Sequence, residues 1–427
     1  MQTFIDFISF KDPNVLYVVL GMFFINGSSA MIGTFAFLRK RALIGDAIAH
    51  ALLPGICLGF MFSGDKNILY LFLGAFATGW ISTYLVDYIV NQSKIKQDAA
   101  IGIVLSVFFA LGIVLLTYIQ NAGYSNHGGL NLFLFGQAAA IGKSELWIFA
   151  VIFITILLLI ILFYKGFTTV AFNADFAKAI GLPVKTIEFL LTSLTVLSIA
   201  SGIQALGVVL MSALIVTPAA AARFWTNKLP KMLGIAVLFS VFSGFIGAFV
   251  SYSESGTPTG PWVVMILSLI TLLSFIFSTK RGILARYLQA RNNKLKIRHE
   301  NILKAIYQYH ERIGRQVRLD QKLSATDILG IRIFDTSELQ KGLRRLIRND
   351  YIRKTEDRYQ LTEIGAKESK RIVRLHRLWE QYLLKRTTID TYHVHSGAEA
   401  IEHILSPEIE AELKRELGIE GIPEEDF

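Results

Sequence analysis

The sequence predicts an all-α polytopic membrane bundle of eight or nine spans, followed by a soluble domain of helices with a two-stranded wing. Three observations carry this expectation. Apolar runs of span length recur through the first 280 residues, charge crowds into the last third, and near residue 351 a period-two pattern interrupts a helical one. Of 43 Lys+Arg and 33 Asp+Glu, only 14 and 10 fall in residues 1–278. A chain that is 53% hydrophobic and 18% charged overall is thus a lipid-facing part joined to a water-facing part.

A span needs about 20 predominantly apolar residues to cross a hydrocarbon core about 30 Å thick. Residues 15–38, 43–62, 68–90, 98–119, 145–164, 186–203, 205–222, 231–252 and 262–279 meet that length. The count is eight if 186–222 is one broken helix and nine if it is two. Helix is the required form, because backbone polar groups in lipid must be satisfied within their own segment. The N-terminus lacks a basic n-region and the apolar runs continue, so no cleavable signal peptide is expected. Cys57, the single cysteine, lies in an apolar run and excludes a disulfide framework.

Basic residues near the span ends set the expected orientation. Arg39, Lys40 and Arg41, Lys94 and Lys96, Lys178 and Lys185, Arg223, Lys228 and Lys231, and Lys280, Arg281 and Arg286 all fall on one side. Placing them in the cytoplasm puts the N-terminus outside and the soluble part inside, in a bacterial cytoplasmic membrane. Lys66 and Lys143 fall on the other side, and the loops 123–129 and 253–261 face outward.

Asp46 and His50 sit one turn apart on one face of the second span. Ionisable groups at that depth are costly and face cavities or pathways. A carboxylate and an imidazole so placed can contact a transition metal, one hard oxygen beside one borderline nitrogen. They can equally form a structural Asp–His hydrogen bond. Pro54 removes a backbone donor nearby, which predicts an irregular helix there. The polar segment 173–183 reads as a short amphipathic helix between spans, opened near Asp175 and ended by Gly181-Leu-Pro183. It is either an ordinary helical loop or a handle that a motor protein could grip.

Residues 136–144 place five residues between two glycines where a phosphate-binding loop needs four. ATP is not bound by that route, and no catalytic signature suggests an enzyme. His127, in the loop 124–128, reads as solvated rather than as a metal-receiving group.

These segments resemble a known family. The stretch Leu38–Gly55, the run Gln97–Val104 with Ala110-Leu-Gly112, Leu134-Phe-Gly136, Phe172–Pro183 and Gly207–Arg223 look like the ABC permeases for zinc, manganese and iron. The resemblance covers residues 15–280 in order. It implies a permease that pairs as a homodimer or with a second permease, driven by a separate ATPase and supplied by an extracytoplasmic metal-binding protein. It also implies that Asp46 and His50 line the metal path, and that Asp175, Ala177, Gly181 and Pro183 belong to the ATPase-coupling segment.

Beyond the basic stretch, residues 299–314 predict an amphipathic helix with Ile302, Ile306 and Tyr309 on one face. Residues 336–348 form a basic helix presenting Lys341, Arg344 and Arg345 as candidate DNA contacts, and 351–361 alternates as a wing should. That order of elements reads as a winged helix-turn-helix. Further on, His376 and Glu380 are one turn apart, and His395, Glu399, Glu402 and His403 fall on one helical stripe. Six oxygen and nitrogen donors without a thiolate suit a divalent metal, against the plainer reading of a salt-bridged face.

The runs 374–380 and 394–406 resemble the iron- and manganese-dependent repressors related to diphtheria toxin repressor, over about 299–418. The resemblance implies a winged-helix part at 299–365 and a helical dimerisation part at 366–418. The chain as a whole then reads as a transmembrane domain at 1–280, a basic linker at 281–298, the winged-helix part at 299–365 and a helical metal-binding and dimerisation domain at 366–427. The resemblance assigns His376, Glu399, Glu402 and His403 to metal, with Glu380 and His395 completing a second site. Two departures stand out. Asn301 and Lys304 occupy positions where that family supplies further ligands, and 323–334 replaces the usual short turn, which counts against DNA binding. The expected function is the permease of a divalent-metal importer (manganese, iron or zinc) with a cytoplasmic metal sensor; the alternative is a membrane-tethered metal-dependent transcription regulator.

Overall fold

The computed structural model describes residues 2–41, 43–65, 67–122, 136, 138, 141–254, 257–313, 319, 321–386 and 407–417. The chain divides into two units, Met1–Arg286 and Tyr287–Phe427.

In the first unit α1 (Gln2–Ile8) precedes α2 (Pro13–Leu38), α3 (Ile44–Ser63), α4 (Ile68–Gln92), α5 (Gln97–Asn121), α6 (Lys143–Leu162), α7 (Tyr164–Phe172), α8 (Ala174–Ala179), α9 (Val184–Leu206), α10 (Val208–Trp225), α11 (Leu229–Ser253) and α12 (Thr259–Phe277). Nine of these, α2–α6 and α9–α12, are long and apolar enough among the described residues to cross a membrane. The ambiguity over 186–222 resolves at Gly207. Its φ of +82° ends α9 and opens α10, a conformation that side chains with a Cβ avoid. The described residues therefore hold two candidate spans there, and an odd total.

Local chemistry sets the helix starts. Asp12 accepts the N–H of Asn14 at 2.9 Å, and Pro13 follows at the first helical position. Asn67 likewise caps α4 through the N–H of Leu69 at 3.0 Å. Lipid offers no hydrophobic force to join finished helices, so small residues and polar contacts take over. Gly33 lies against the carbonyl of Ile215, and Gly55 and Gly74 meet backbone to backbone, leaving no room for a Cβ at any of the three. Asn26 Nδ2 donates to the Ser240 carbonyl at 3.0 Å, and the hydroxyls of Ser29 and Ser198 pair at 3.1 Å, all buried. α3 is the central element, and its Ile48, Ala49, Leu52, Cys57 and Phe60 are fully buried.

The second unit holds most of α13 (Ile283–Arg312), then α14 (Ala325–Ile331), α15 (Thr336–Arg348), β1 (Ile352–Thr355), β2 (Arg358–Leu361), α16 (Glu363–Arg386) and α17 (Pro407–Leu417). The expected helix at 299–314 starts earlier, at Ile283, so much of the basic stretch is helical. Ile302 and Ile306 are buried and Tyr309 packs on the same core, as their spacing predicts. The strands pair antiparallel, Ile352 opposite Leu361, and Leu323 adds a bridge to Tyr359. The irregular stretch 323–334 holds a capped helix. Ser324 and Asp327 exchange side chain–backbone hydrogen bonds at its start. Leu339, Leu343 and Leu346 of α15 close the core, leaving its other face to solvent.

Candidate functional site

Asp46 lies in the first turn of α3, where the helix dipole favours a negative charge. One turn on, His50 Nε2 stands 3.4 Å from Asp46 Oδ1. A charge-assisted hydrogen bond between such groups closes to about 2.7–2.9 Å, so the two are adjacent without being locked together. The His50 side chain is 15% exposed and that of Asp46 39%. Phe109 of α5 meets the imidazole edge-on at 4.8 Å between centroids, and Ser212 of α10 reaches the Asp46 carboxylate. Nδ1 of His50 is buried with no hydrogen-bond partner among the described residues. Pro54 sits inside a continuous α3 rather than breaking it. Lacking an N–H, Pro54 has nothing to donate to the carbonyl of His50, four residues back. The site thus gathers a carboxylate, an imidazole, a hydroxyl and an under-used carbonyl oxygen. Among the described residues no third His, Cys, Asp or Glu joins the pair.

Two ion pairs tie the α2–α3 turn to its neighbours. Arg39 reaches Glu188 of α9 at 2.7 Å, and Arg41 reaches Asp87 of α4 at 3.1 Å. In the segment between α7 and α9, α8 is capped by Asn173, whose side chain accepts the N–H of Phe176 at 2.9 Å. Asp175 occupies the first turn and is not the cap. Ala177 is fully buried and anchors α8, and Gly181, at φ +81°, turns the chain before Pro183. Phe176 and Ile180 are more than half exposed, an apolar surface on a polar loop.

In the tail, His376 Nε2 and Glu380 Oε1 lie 3.1 Å apart on α16, with the His376 side chain only 5% exposed. His395, Glu399, Glu402 and His403 lie outside the described residues, as does His127. The described part of the proposed metal cluster is therefore one imidazole–carboxylate pair, which fits two positions of a divalent site. Lys304 is 1% exposed on α13. Lys341, Arg344 and Arg345 all face solvent on α15, whose first turn is capped by Asp335.

Residues 11–278 match the ABC 3 transport family. The chain belongs to that family. Behind the ABC 3 domain, residues 362–419 match the iron dependent repressor, metal binding and dimerisation domain. The manganese transport system membrane protein MntC of Bacillus subtilis is 37% identical over 379 residues, 88% of this chain and 85% of that protein. The zinc transport system membrane protein TroC of Treponema pallidum is 39% identical over 286 residues, 67% of this chain and 96% of TroC. Among solved structures, PsaBC from Streptococcus pneumoniae in complex with Fab superposes with a TM-score of 0.60 at 31% identity. That match covers 67% of this chain and 99% of the other.

For this ABC 3 family member, sequence reasoning missed Ser212 and Phe109 beside Asp46 and His50. Neither carries a pattern signal, because a serine or phenylalanine in a span is ordinary. The Arg39–Glu188 and Arg41–Asp87 pairs were foreshadowed only by isolated acids inside otherwise apolar spans.

Proposed function

We propose that this chain is the membrane permease of a bacterial ABC importer for a divalent transition metal, manganese, zinc or iron, powered by a separate ATPase. The observation that carries the reading is the Asp46–His50 pair within a span of an ABC 3 family protein. Its hard oxygen and borderline nitrogen suit all three ions, and the choice among them rests on geometry and supply. Two of the named relatives are manganese and zinc transport proteins. In this reading two permeases pair around the path, as a homodimer or a heterodimer, and an extracytoplasmic metal-binding protein delivers the ion. α8, with Asp175, Ala177, Gly181 and Pro183, is the ATPase grip, and exposed Phe176 and Ile180 support a docking role. Nine candidate spans among the described residues, an odd number, together with the basic span ends support a tail on the cytoplasmic side, opposite the N-terminus. Uptake of labelled manganese, zinc and ferrous iron into proteoliposomes with the cognate ATPase tests the reading. No ATP-dependent uptake of any of the three would reject it.

The tail is a cytoplasmic sensor in this scheme, with His376, Glu380, His395, Glu399, Glu402 and His403 as its donors. High internal metal fills the site and slows transport. Metal titration of the purified full chain tests this part alone: one saturable site class should disappear in a His376→Ala, Glu402→Ala variant while the transport site remains. The exposed cations Lys341, Arg344 and Arg345 favour one second reading, a membrane-tethered transcription regulator. A metal-dependent shift of promoter DNA by the full chain in nanodiscs would support it.

A further inference from the structure

α13 opens directly behind the last span. Phe277 ends α12, the N–H of Gly282 bonds the Ser278 carbonyl at 3.1 Å, and Ile283 begins the new helix. No Asp or Glu occurs between Glu254 and Glu300, yet Lys280, Arg281, Arg286, Arg291, Lys294, Lys296 and Arg298 crowd the second half of that interval. These cations fall into two groups. Lys294 and Arg298 reach Glu338 at 3.8 and 2.5 Å, and Lys296 reaches Glu300 at 3.7 Å. Lys280, Arg281, Arg286 and Arg291 form no ion pair among the described residues.

The stretch with the unpaired cations also carries an uncovered apolar face. Ile283, Leu284, Tyr287 and Leu288 are 46, 44, 63 and 47% exposed. At about 100° per residue they fill an arc of about 140°, with Gln289 and Asn293 on the opposite side. Further along the same helix the apolar residues are buried, Ile302 and Ile306 almost completely. On the same count, with Ile283 as zero, Arg291 falls at about 80°, in line with the arc just past its end, and Arg286 at about 300°, on the polar side. An apolar face bounded along the chain by unpaired cations, Lys280 and Arg281 before it and Arg291 after it, with Arg286 on the polar side, is the composition of a helix lying in an anionic membrane surface. Position adds to this. Ile283 lies only six residues past Phe277, so even an extended chain could carry it no more than about 20 Å from the end of the span.

We propose that residues 280–291 form an interfacial helix, seated on anionic phospholipid headgroups of the leaflet from which the last span emerges. The four apolar side chains enter the headgroup boundary, and each unpaired cation strengthens the attraction to the anionic surface about fivefold.

The test uses the full chain with Cys57→Ala, reconstituted in phosphatidylcholine vesicles with or without phosphatidylglycerol. Single spin labels are placed at Leu288→Cys, on the apolar face, and at Asn293→Cys, opposite. With phosphatidylglycerol present, the label at 288 should collide with dissolved oxygen and be shielded from a water-soluble nickel chelate, and the label at 293 should show the reverse. Adding Arg286→Gln and Arg291→Gln should shift the label at 288 toward water by about 25-fold in partition, two charges at about fivefold each. A label at 288 as open to nickel as that at 293 would overturn the proposal. Shielding from both agents, the mark of a protein cover, would overturn it equally. Identical behaviour with and without phosphatidylglycerol would overturn the anionic-lipid assignment.

Discussion

His50 Nε2 stands 3.4 Å from Asp46 Oδ1 on one face of α3, with its own Nδ1 buried and unpartnered among the described residues. Two donors held side by side without a tight bond between them can open onto a cation at little cost. Asp46→Asn keeps the shape and removes the charge, so it should lower metal uptake by more than about tenfold, since even outer-shell partners of a bound metal are worth that much. His50→Ala should do the same, with both variants present in the membrane at normal level. Wild-type uptake by either variant would reduce the pair to a structural contact.

Gly55 and Gly74 bring α3 and α4 into backbone contact. Gly74→Val must push the two helices apart in a packed core, at a cost of about 1–3 kcal/mol or more. The melting temperature of the detergent-solubilised chain should fall accordingly. Gly234→Val, at a glycine with open space around it, is the control that should leave it unchanged.

Arg39 is largely buried and reaches Glu188 at 2.7 Å. Removing the carboxylate with Glu188→Gln leaves that guanidinium short of its charged partner, a loss of about 1.5–3 kcal/mol for a hydrogen bond between charged groups. Arg39→Gln in the same chain should recover part of it. Strictly additive effects of the two changes in a double-mutant cycle would show that the pair does not couple α2 to α9.

His299 on α13 is held below the ordinary imidazole pKa of 6.5, first by burial and then by Arg345 and Arg298, against the opposing effect of Glu300. Its Nε2 has no hydrogen-bond partner among the described residues. The unfolded chain takes up this proton more readily than the folded one, so the unfolded state binds more protons just below pH 6.5. The contribution to tail stability is therefore complete above that value and drains away as pH falls through it. The protection factors of α13 amides in the full chain, that is, the intrinsic base-catalysed rate at each pH divided by the observed exchange rate, should fall from about pH 7 to pH 5, and His299→Gln should flatten that trend. Equal slopes in the two proteins would refute the assignment.

Most of the bundle was legible because lipid imposes a simple rule, about 20 apolar residues per crossing. The rule says nothing about a break inside a continuous apolar run, and only the φ of +82° at Gly207 divides 186–222. The winged helix was legible through side-chain period alone, since Ile302 and Ile306 mark one helix face and 351–361 alternates. The sequence offers Asp175 near the start of α8, whereas Asn173 caps it; both residues suit that position, and only backbone geometry separates them. The Asp46–His50 pair followed from spacing. Ser212 did not, because it reaches the site from α10, more than 160 residues away in the chain.

The single polypeptide that runs from Phe277 through Gly282 into α13 fixes a stoichiometry. Every permease carries one tail. If two copies of this chain pair, as in the proposed homodimer, their tails are held at an effective concentration that a short tether raises to the millimolar range. On that proposal, tail association too weak to survive dilution as a free fragment is sufficient, and a modest change in tail affinity would become a graded adjustment of the pair.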